Sequence, residues 1–111
     1  MNIIIKYTPI ILIFFTFINC SNSENEDECN INYSYSIDVS SIVNNKCSSA
    51  GCHNSDFGGD FGSYEGVMEK VNSGEFYKEI NEGTMPPVSK PQLTNEELMI
   101  LKCWSLNGGN K

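Results

Sequence analysis

Apolar side chains recur three or four residues apart in three stretches after residue 37, which is the spacing of one helix face. Each stretch begins at a residue that can cap a helix, namely Asp38, Ser63 and Thr94. Thr94 and Glu97 also form a Thr-x-x-Glu capping box. The apolar stripes are Val39, Ile42 and Val43; Tyr64, Val67, Met68 and Val71; and Leu98, Leu101 and Trp104.

The second stretch ends at Asn72-Ser73-Gly74 and the third at Asn107-Gly108-Gly109, and residues 76–80 add a further turn or two. No segment alternates with strand period over a useful length. Residues 31–37 come nearest, with Tyr33 and Tyr35 on one face of a short extended arm. The pattern therefore predicts an all-α fold of about four short helices and long loops.

The first nineteen residues read as an export signal. Residues 1–6 are a short basic start, and residues 9–18 are an apolar run too short to span a bilayer. The run ends at Phe17-Ile18-Asn19-Cys20, which resembles a bacterial lipobox in which Cys20 is lipidated and becomes the first mature residue. Phe17 and Asn19 depart from the usual residues, so a plain cleaved signal and an uncleaved anchor stay open as alternatives.

An acidic run follows Cys20 and contains no apolar residue that could be buried. We expect residues 20–30 to be a lipid-anchored tether and residues 31–111 to be one domain. The run also resembles the surface-export signal of Bacteroidetes lipoproteins. The expected location is therefore the cell envelope, anchored to the outer membrane on its periplasmic or its surface side.

The net charge of the chain is −7, from 14 acidic and 7 basic residues. This balance argues against nucleic acid as a partner, because phosphate contacts need a basic surface. It favours encounters with basic patches on other proteins.

The cysteines carry the candidate chemistry. Cys47 and Cys52 are followed directly by His53, which is a pattern for covalent haem attachment in which two thiols bond the vinyl groups and the imidazole reaches the iron. Cys29 and Cys103 remain for a disulfide that would tie the two ends of the domain together. Two unpaired buried thiols are the alternative for this pair, because sequence alone does not fix connectivity.

The order of these features resembles a class I cytochrome c domain, in particular the small ones in lipoproteins of Bacteroidetes and planctomycetes. The resemblance extends over about residues 37–109: a helix, the Cys-x-x-x-x-Cys-His motif, a Gly-Gly loop, a Ser-Tyr helix, Met-Pro-Pro and a final Leu-Thr-x-x-Glu helix with a tryptophan. It implies haem c on Cys47 and Cys52, with His53 and Met85 as the axial ligands of the iron.

Four residues separate the two cysteines, whereas the usual number is two, so the loop must bulge to present both sulfurs. The four residues, 48–51, are all small, and Cys-x-x-x-x-Cys-His sites are known within the resembled family. Two alternatives need no haem. One is a Cys47–Cys52 disulfide in a surface lipoprotein that binds protein or polysaccharide, and the other is a zinc site supplemented by Asp56.

The resemblance implies an electron carrier and not an enzyme, with transient redox partner proteins and one haem at the centre of the core. We expect Phe61 and Tyr64 to cover the haem near the Gly-Gly loop. We also expect the apolar faces of the helices to pack against the porphyrin, through Val43, Val67, Leu98, Leu101 and Trp104.

Overall fold

The computed structural model describes residues 29–49, 51–54 and 59–111. Its helices are α1 (Ser40–Lys46), α2 (Tyr64–Asn72), α3 (Glu75–Asn81) and α4 (Asn95–Leu106), and a π-helical segment, Tyr35–Val39, leads directly into α1. The one pairing of extended backbone in these ranges is an isolated antiparallel bridge between Asn54 and Asp60. The described part of the chain is therefore mostly helical, as the apolar pattern predicts.

The first helical unit begins earlier than its sequence predicts. The Ser34 side chain accepts a hydrogen bond from the Ile37 N–H (3.3 Å), and the Asp38 carboxylate accepts one from the Ser34 N–H (2.9 Å). Ser34 is therefore the N-cap. Asp38 lies inside the first turn and bonds back to the Ser34 N–H, so the two residues form a reciprocal pair of capping hydrogen bonds. Tyr35 is helical as a result, so the expected extended arm over residues 31–37 is wrong for its second half.

The other caps lie where the sequence places them. Ser63 accepts from the Gly66 N–H at the start of α2, and Thr94 and Glu97 form both hydrogen bonds of the capping box of α4. Gly74, with a φ of 80°, turns the chain between α2 and α3. A left-handed residue at this position stops one helix and lets the next begin at once.

α4 packs against α3 and the π-helical segment, and buried side chains from all of the helical segments form one core. Its largest fully buried side chains are Trp104, Leu101, Val39, Val43 and Val67. The Trp104 indole N–H donates to the Asn110 carbonyl (2.8 Å), and the Tyr64 hydroxyl donates to the Gly109 carbonyl (2.7 Å). The C-terminal segment is therefore held against the core by side chains that would otherwise bury unsatisfied polar groups.

The expected disulfide between Cys29 and Cys103 is present. Cys29 is thereby part of the folded domain, and the Asn107 amide also donates to the carbonyls of Cys29 and Ile31 (both 3.2 Å). Cys29, which was expected within the tether, is thus tied to α4 by its disulfide. The predicted export signal, the lipidated Cys20 and residues 21–28 of the tether lie outside the described residues. Among the residues described, no helix has the length and apolar character that crossing a membrane requires.

Candidate functional site

A cavity of about 580 Å³ opens beside the end of α1, α3 and the loop that follows α3. All four residues predicted to attach haem or bind its iron line this cavity: Cys47, Cys52, His53 and Met85. They come from segments more than thirty residues apart. Most of the other lining side chains are apolar or charged: Phe61, Phe76, Ile80, Pro86 and Pro87, with Lys46, Lys70, Glu75 and Glu79.

The segment from Cys47 to His53 folds back on itself. Cys47 directly follows α1, and its N–H donates to the Val43 carbonyl (2.9 Å). The Cys47 carbonyl in turn accepts from the His53 N–H (3.1 Å). Gly51 has a φ of 77°, a left-handed conformation that favours glycine. The loop between the two cysteines thus has a glycine where the backbone is left-handed. Both cysteines are free thiols and are not joined to each other.

His53 is fixed at the cavity by ring stacking. Its imidazole lies almost parallel to the Phe61 ring, with an interplanar angle of 15° and centroids 4.3 Å apart. The His53 carbonyl accepts from the Phe61 N–H (2.9 Å), next to the Asn54–Asp60 bridge. The buried Nδ1 has no hydrogen-bond partner among the described residues. Native proteins contain few such buried orphans, and they concentrate at functional sites.

Met85 belongs to a loop that α3 holds in place at its start. The N–H groups of Thr84 and Met85 both donate to the Glu79 carbonyl, at 3.0 and 3.3 Å. Pro86 is buried, while the Met85 side chain is 39% exposed, so its thioether lies at the border between cavity and solvent. Thr84 also donates to the Glu79 carboxylate. The loop thus presents a soft sulfur ligand at the cavity.

Burial and nearby charges shift the pKa values of several groups around the cavity. Burial raises the pKa of the Cys47 thiol to about 11, and the neighbouring Cys52 and Glu97 add to this effect. At the rim, Lys70 and Glu75 form a salt bridge of 2.6 Å. Their hydrogen bond raises the pKa of Lys70 and lowers the pKa of Glu75. Cys47 is consequently a neutral, weakly reactive thiol in the haem-free chain.

The expected apolar lining of the cavity is largely wrong. None of the five helix residues predicted to face the porphyrin lines the cavity: Val43, Val67, Leu98, Leu101 and Trp104. Tyr64 does not line it either, but packs edge-on against Tyr35 with ring centroids 5.2 Å apart. Phe61 is the one expected lining residue that lies there. The sequence did not predict that α3 lines the cavity, through Phe76 and Ile80.

The residues present fit a covalently attached haem. Two free thiols, an imidazole and a thioether face one largely apolar cavity, and this donor set matches His/Met haem ligation with two thioether bonds. Within the described ranges, no group of three or more His, Cys, Asp or Glu side chains could hold a metal ion. Asp56, the expected supplement to a zinc site, lies outside those ranges.

No protein-family model, no curated protein and no solved structure matches this chain.

Proposed function

We propose that this protein is a monohaem c-type cytochrome that carries single electrons in the cell envelope. One observation supports the proposal most: the four residues that the motif and the resemblance single out all line one cavity. Three of these residues, Cys47, Cys52 and His53, lie in the motif after α1, whereas Met85 lies after α3. A haem-free protein has no need to gather this donor set around an apolar space.

Each residue has a role in this proposal. Cys47 and Cys52 would hold the porphyrin by thioether bonds, and His53 and Met85 would bind its iron. When bound, the haem supplies a one-electron couple, whose potential a thioether ligand raises. Phe61 keeps the His53 ring in one orientation by stacking against it. Because both axial positions are taken by protein side chains, the proposed site suits electron transfer and not substrate turnover.

The size of the domain also favours a bound cofactor. A domain of about eighty residues buries only about 60% of the surface that its unfolded chain exposes, so its core alone gives marginal stability. Small natural domains add disulfides, metals or cofactors for this reason. Phe61, Phe76 and Ile80 belong both to the core and to the cavity lining, so a group in the cavity would extend the same core.

Haem staining of the purified protein on a denaturing gel tests the proposal. The protein is produced in a host that attaches haem to exported c-type cytochromes. We expect a stained band and an absorbance spectrum that changes on addition of dithionite. Cys47→Ala or Cys52→Ala should reduce the staining, whereas Ser48→Ala, in the same loop, should retain it. A wild-type protein that is folded but colourless would refute the proposal.

The alternative is a haem-free surface lipoprotein in which Cys47 and Cys52 form a second disulfide and which binds protein or polysaccharide. Mass spectrometry of the unreduced protein separates the two proposals. Thioether attachment adds the mass of one haem, and a second disulfide removes two hydrogens. The two free thiols favour the cytochrome, because both sulfurs remain available for vinyl groups.

The location and the partners belong to the same proposal. We expect Cys20 to anchor the protein by lipid to the outer membrane and the domain to meet its redox partners through a small, transient interface. Labelling of cells with a radioactive fatty acid should mark the wild type and not Cys20→Ser. An unlabelled wild type would show that the export signal is cleaved or retained without lipid.

A further inference from the structure

We infer that Gln92 is a positioning residue, whose side-chain amide holds the loop of Met85 against the cavity and so keeps the thioether available to the iron. The inference rests on the proposed function, because it assigns Met85 as an axial ligand. It concerns a residue that lies seven positions after Met85 and does not line the cavity.

The contacts of Gln92 are concentrated on this loop. Its Nε2 donates to the carbonyls of Pro87 (2.8 Å) and Lys90 (2.9 Å), and more weakly to that of Pro86 (3.3 Å). One amide group therefore gathers three carbonyls from a five-residue stretch directly after Met85.

The sequence of the loop makes such a donor necessary. Pro86 and Pro87 have no N–H group, so their part of the backbone can only accept hydrogen bonds. The Glu79 carbonyl fixes the loop before Met85 by accepting from Thr84 and Met85. After Met85, the Lys90 N–H bonds to the Pro87 carbonyl within the loop itself, and Gln92 supplies the donors from the end of the loop.

Gln92 also connects the Met85 loop to the segment of the cysteines. The Lys46 ammonium donates to the backbone carbonyl of Gln92 (2.8 Å) and lies 3.6 Å from the Glu97 carboxylate. Lys46 is the last residue of α1 and directly precedes Cys47. The proposed axial ligand on one side of the cavity and the proposed attachment site on the other are thus held by one chain of contacts through Gln92.

The expected consequence of removing the amide is a looser loop. A single side-chain hydrogen bond contributes little to the stability of a protein, and Gln92 is exposed, so the protein should still fold without it. Loss of two such bonds would shift the balance between attached and detached Met85 by about tenfold, the factor that corresponds to 1.4 kcal/mol.

The test compares Gln92→Ala with Asn107→Ala in the full-length, haem-loaded protein. Asn107 is a matched control, because its amide also bridges two backbone carbonyls, those of Cys29 and Ile31, but does not line the cavity. Three properties are measured: the affinity of the ferric protein for cyanide, the reduction potential, and amide hydrogen exchange over residues 84–91. Gln92→Glu, which keeps the size but removes the N–H donors, serves as a second variant.

We expect Gln92→Ala and Gln92→Glu to bind cyanide about tenfold more tightly, to have a lower potential and to exchange faster over residues 84–91. Asn107→Ala should match the wild type in all three. The inference is overturned if the Gln92 variants match the wild type, if Asn107→Ala shows the same changes, or if the loop exchanges faster while cyanide affinity and potential stay unchanged. A colourless wild type would instead refute the proposed function, and with it this inference.

Discussion

Met85 is the residue on which the electronic properties of the proposed site depend most. Its thioether lies at the mouth of the cavity and is 39% exposed, so an external ligand has a path to the position it occupies. A bound sulfur both raises the potential and excludes such ligands. Replacing it therefore affects two independent observables.

We predict that Met85→Leu lowers the reduction potential and lets the ferric protein bind cyanide readily. Leucine keeps an apolar side chain at the cavity and removes only the sulfur. Spectroscopic titration with cyanide and redox potentiometry measure the two effects. Met99→Leu is the matched control, because Met99 lies within α4 and does not line the cavity. If Met85→Leu and Met99→Leu behave alike, Met85 is not the axial ligand.

Cys47 gives a second test at the residue scale, on protein produced without haem. With its pKa raised to about 11 by burial, the Cys47 thiol is almost entirely protonated at pH 8, and only the thiolate reacts with alkylating reagents. We predict that iodoacetamide modifies Cys47 at pH 8 at least tenfold more slowly in the folded protein than in denaturant, as followed by peptide mass spectrometry. Raising the pH from 8 towards 11 should accelerate the modification of Cys47 in the folded protein. Equal rates for Cys47 in the folded and the denatured protein would contradict the prediction.

The residues of the candidate site could be picked out from the sequence because their signal is local. Cys47, Cys52 and His53 stand within seven residues, and two prolines mark the loop of Met85. The lining of the cavity was not predictable in the same way. Val43 and Leu101 are buried, as their helical spacing indicates, but spacing does not tell whether a buried side chain faces another helix or a cavity. That choice depends on how the helices pack.

At the scale of elements, the sequence predicted the caps of α2 and α4 correctly but not the start of the first helical unit. Ser63, Thr94 and Glu97 act as predicted, since a capping side chain bonds a backbone group three residues away. The start of the first helical unit was placed too late, because the side chain of Asp38 bonds back to Ser34. An acidic residue in the first turn and one at the cap give the same sequence pattern.

The position of α2 depends on a close approach that the sequence does not reveal. Gly66 lies in the first turn of α2, and a Cβ on it would lie only 1.7 Å from the Asp60 carbonyl oxygen. Asp60 pairs with Asn54, which follows His53. The glycine therefore lets α2 pack against the segment that positions the imidazole.

We predict that Gly66→Ala destabilises the protein by about 2 kcal/mol or more, although the same change in an ordinary helix stabilises by about 0.5–1 kcal/mol. The neighbouring backbone must shift to make room, since the atom in the way is not a flexible side chain. Denaturant unfolding measures the effect. Gly62→Ala is the control, because its Cβ would meet only the Asp60 side chain (2.9 Å) and no backbone atom. Asp60 can rotate away at the cost of the hydrogen bond that it accepts from the Gly62 N–H (2.8 Å), so we expect a smaller loss than for Gly66→Ala. A stabilised Gly66→Ala variant would show that α2 does not approach Asp60 so closely.

At the scale of the whole molecule, three kinds of connection hold the chain together. The apolar core joins α4 to the other helices, and the cavity side chains extend it. The Cys29–Cys103 disulfide connects residues 74 positions apart and fixes the start of the domain to α4. In the proposed holoprotein, the two thioethers and the axial ligands join the loop after α1 to the loop after α3.

The disulfide can be separated from the thioethers by reduction, because a thiol reductant cleaves disulfides and leaves thioether bonds intact. Closing a loop of this length contributes about 4 kcal/mol in the chain-entropy model. For a domain of this size, the loss corresponds to a decrease in Tm of at least about 15 °C. We therefore predict that reductant lowers the Tm of the haem-loaded protein by this amount while the absorbance of the haem is retained at lower temperature.

The double variant Cys29→Ser/Cys103→Ala is the control, and its Tm should be low with or without reductant. Two outcomes would contradict this prediction. A wild type whose Tm does not respond to reductant would mean that the disulfide contributes little, because other contacts already hold Cys29 against α4. A double variant that still responds to reductant would contain a second disulfide, between Cys47 and Cys52, and those sulfurs could not then be attached to haem.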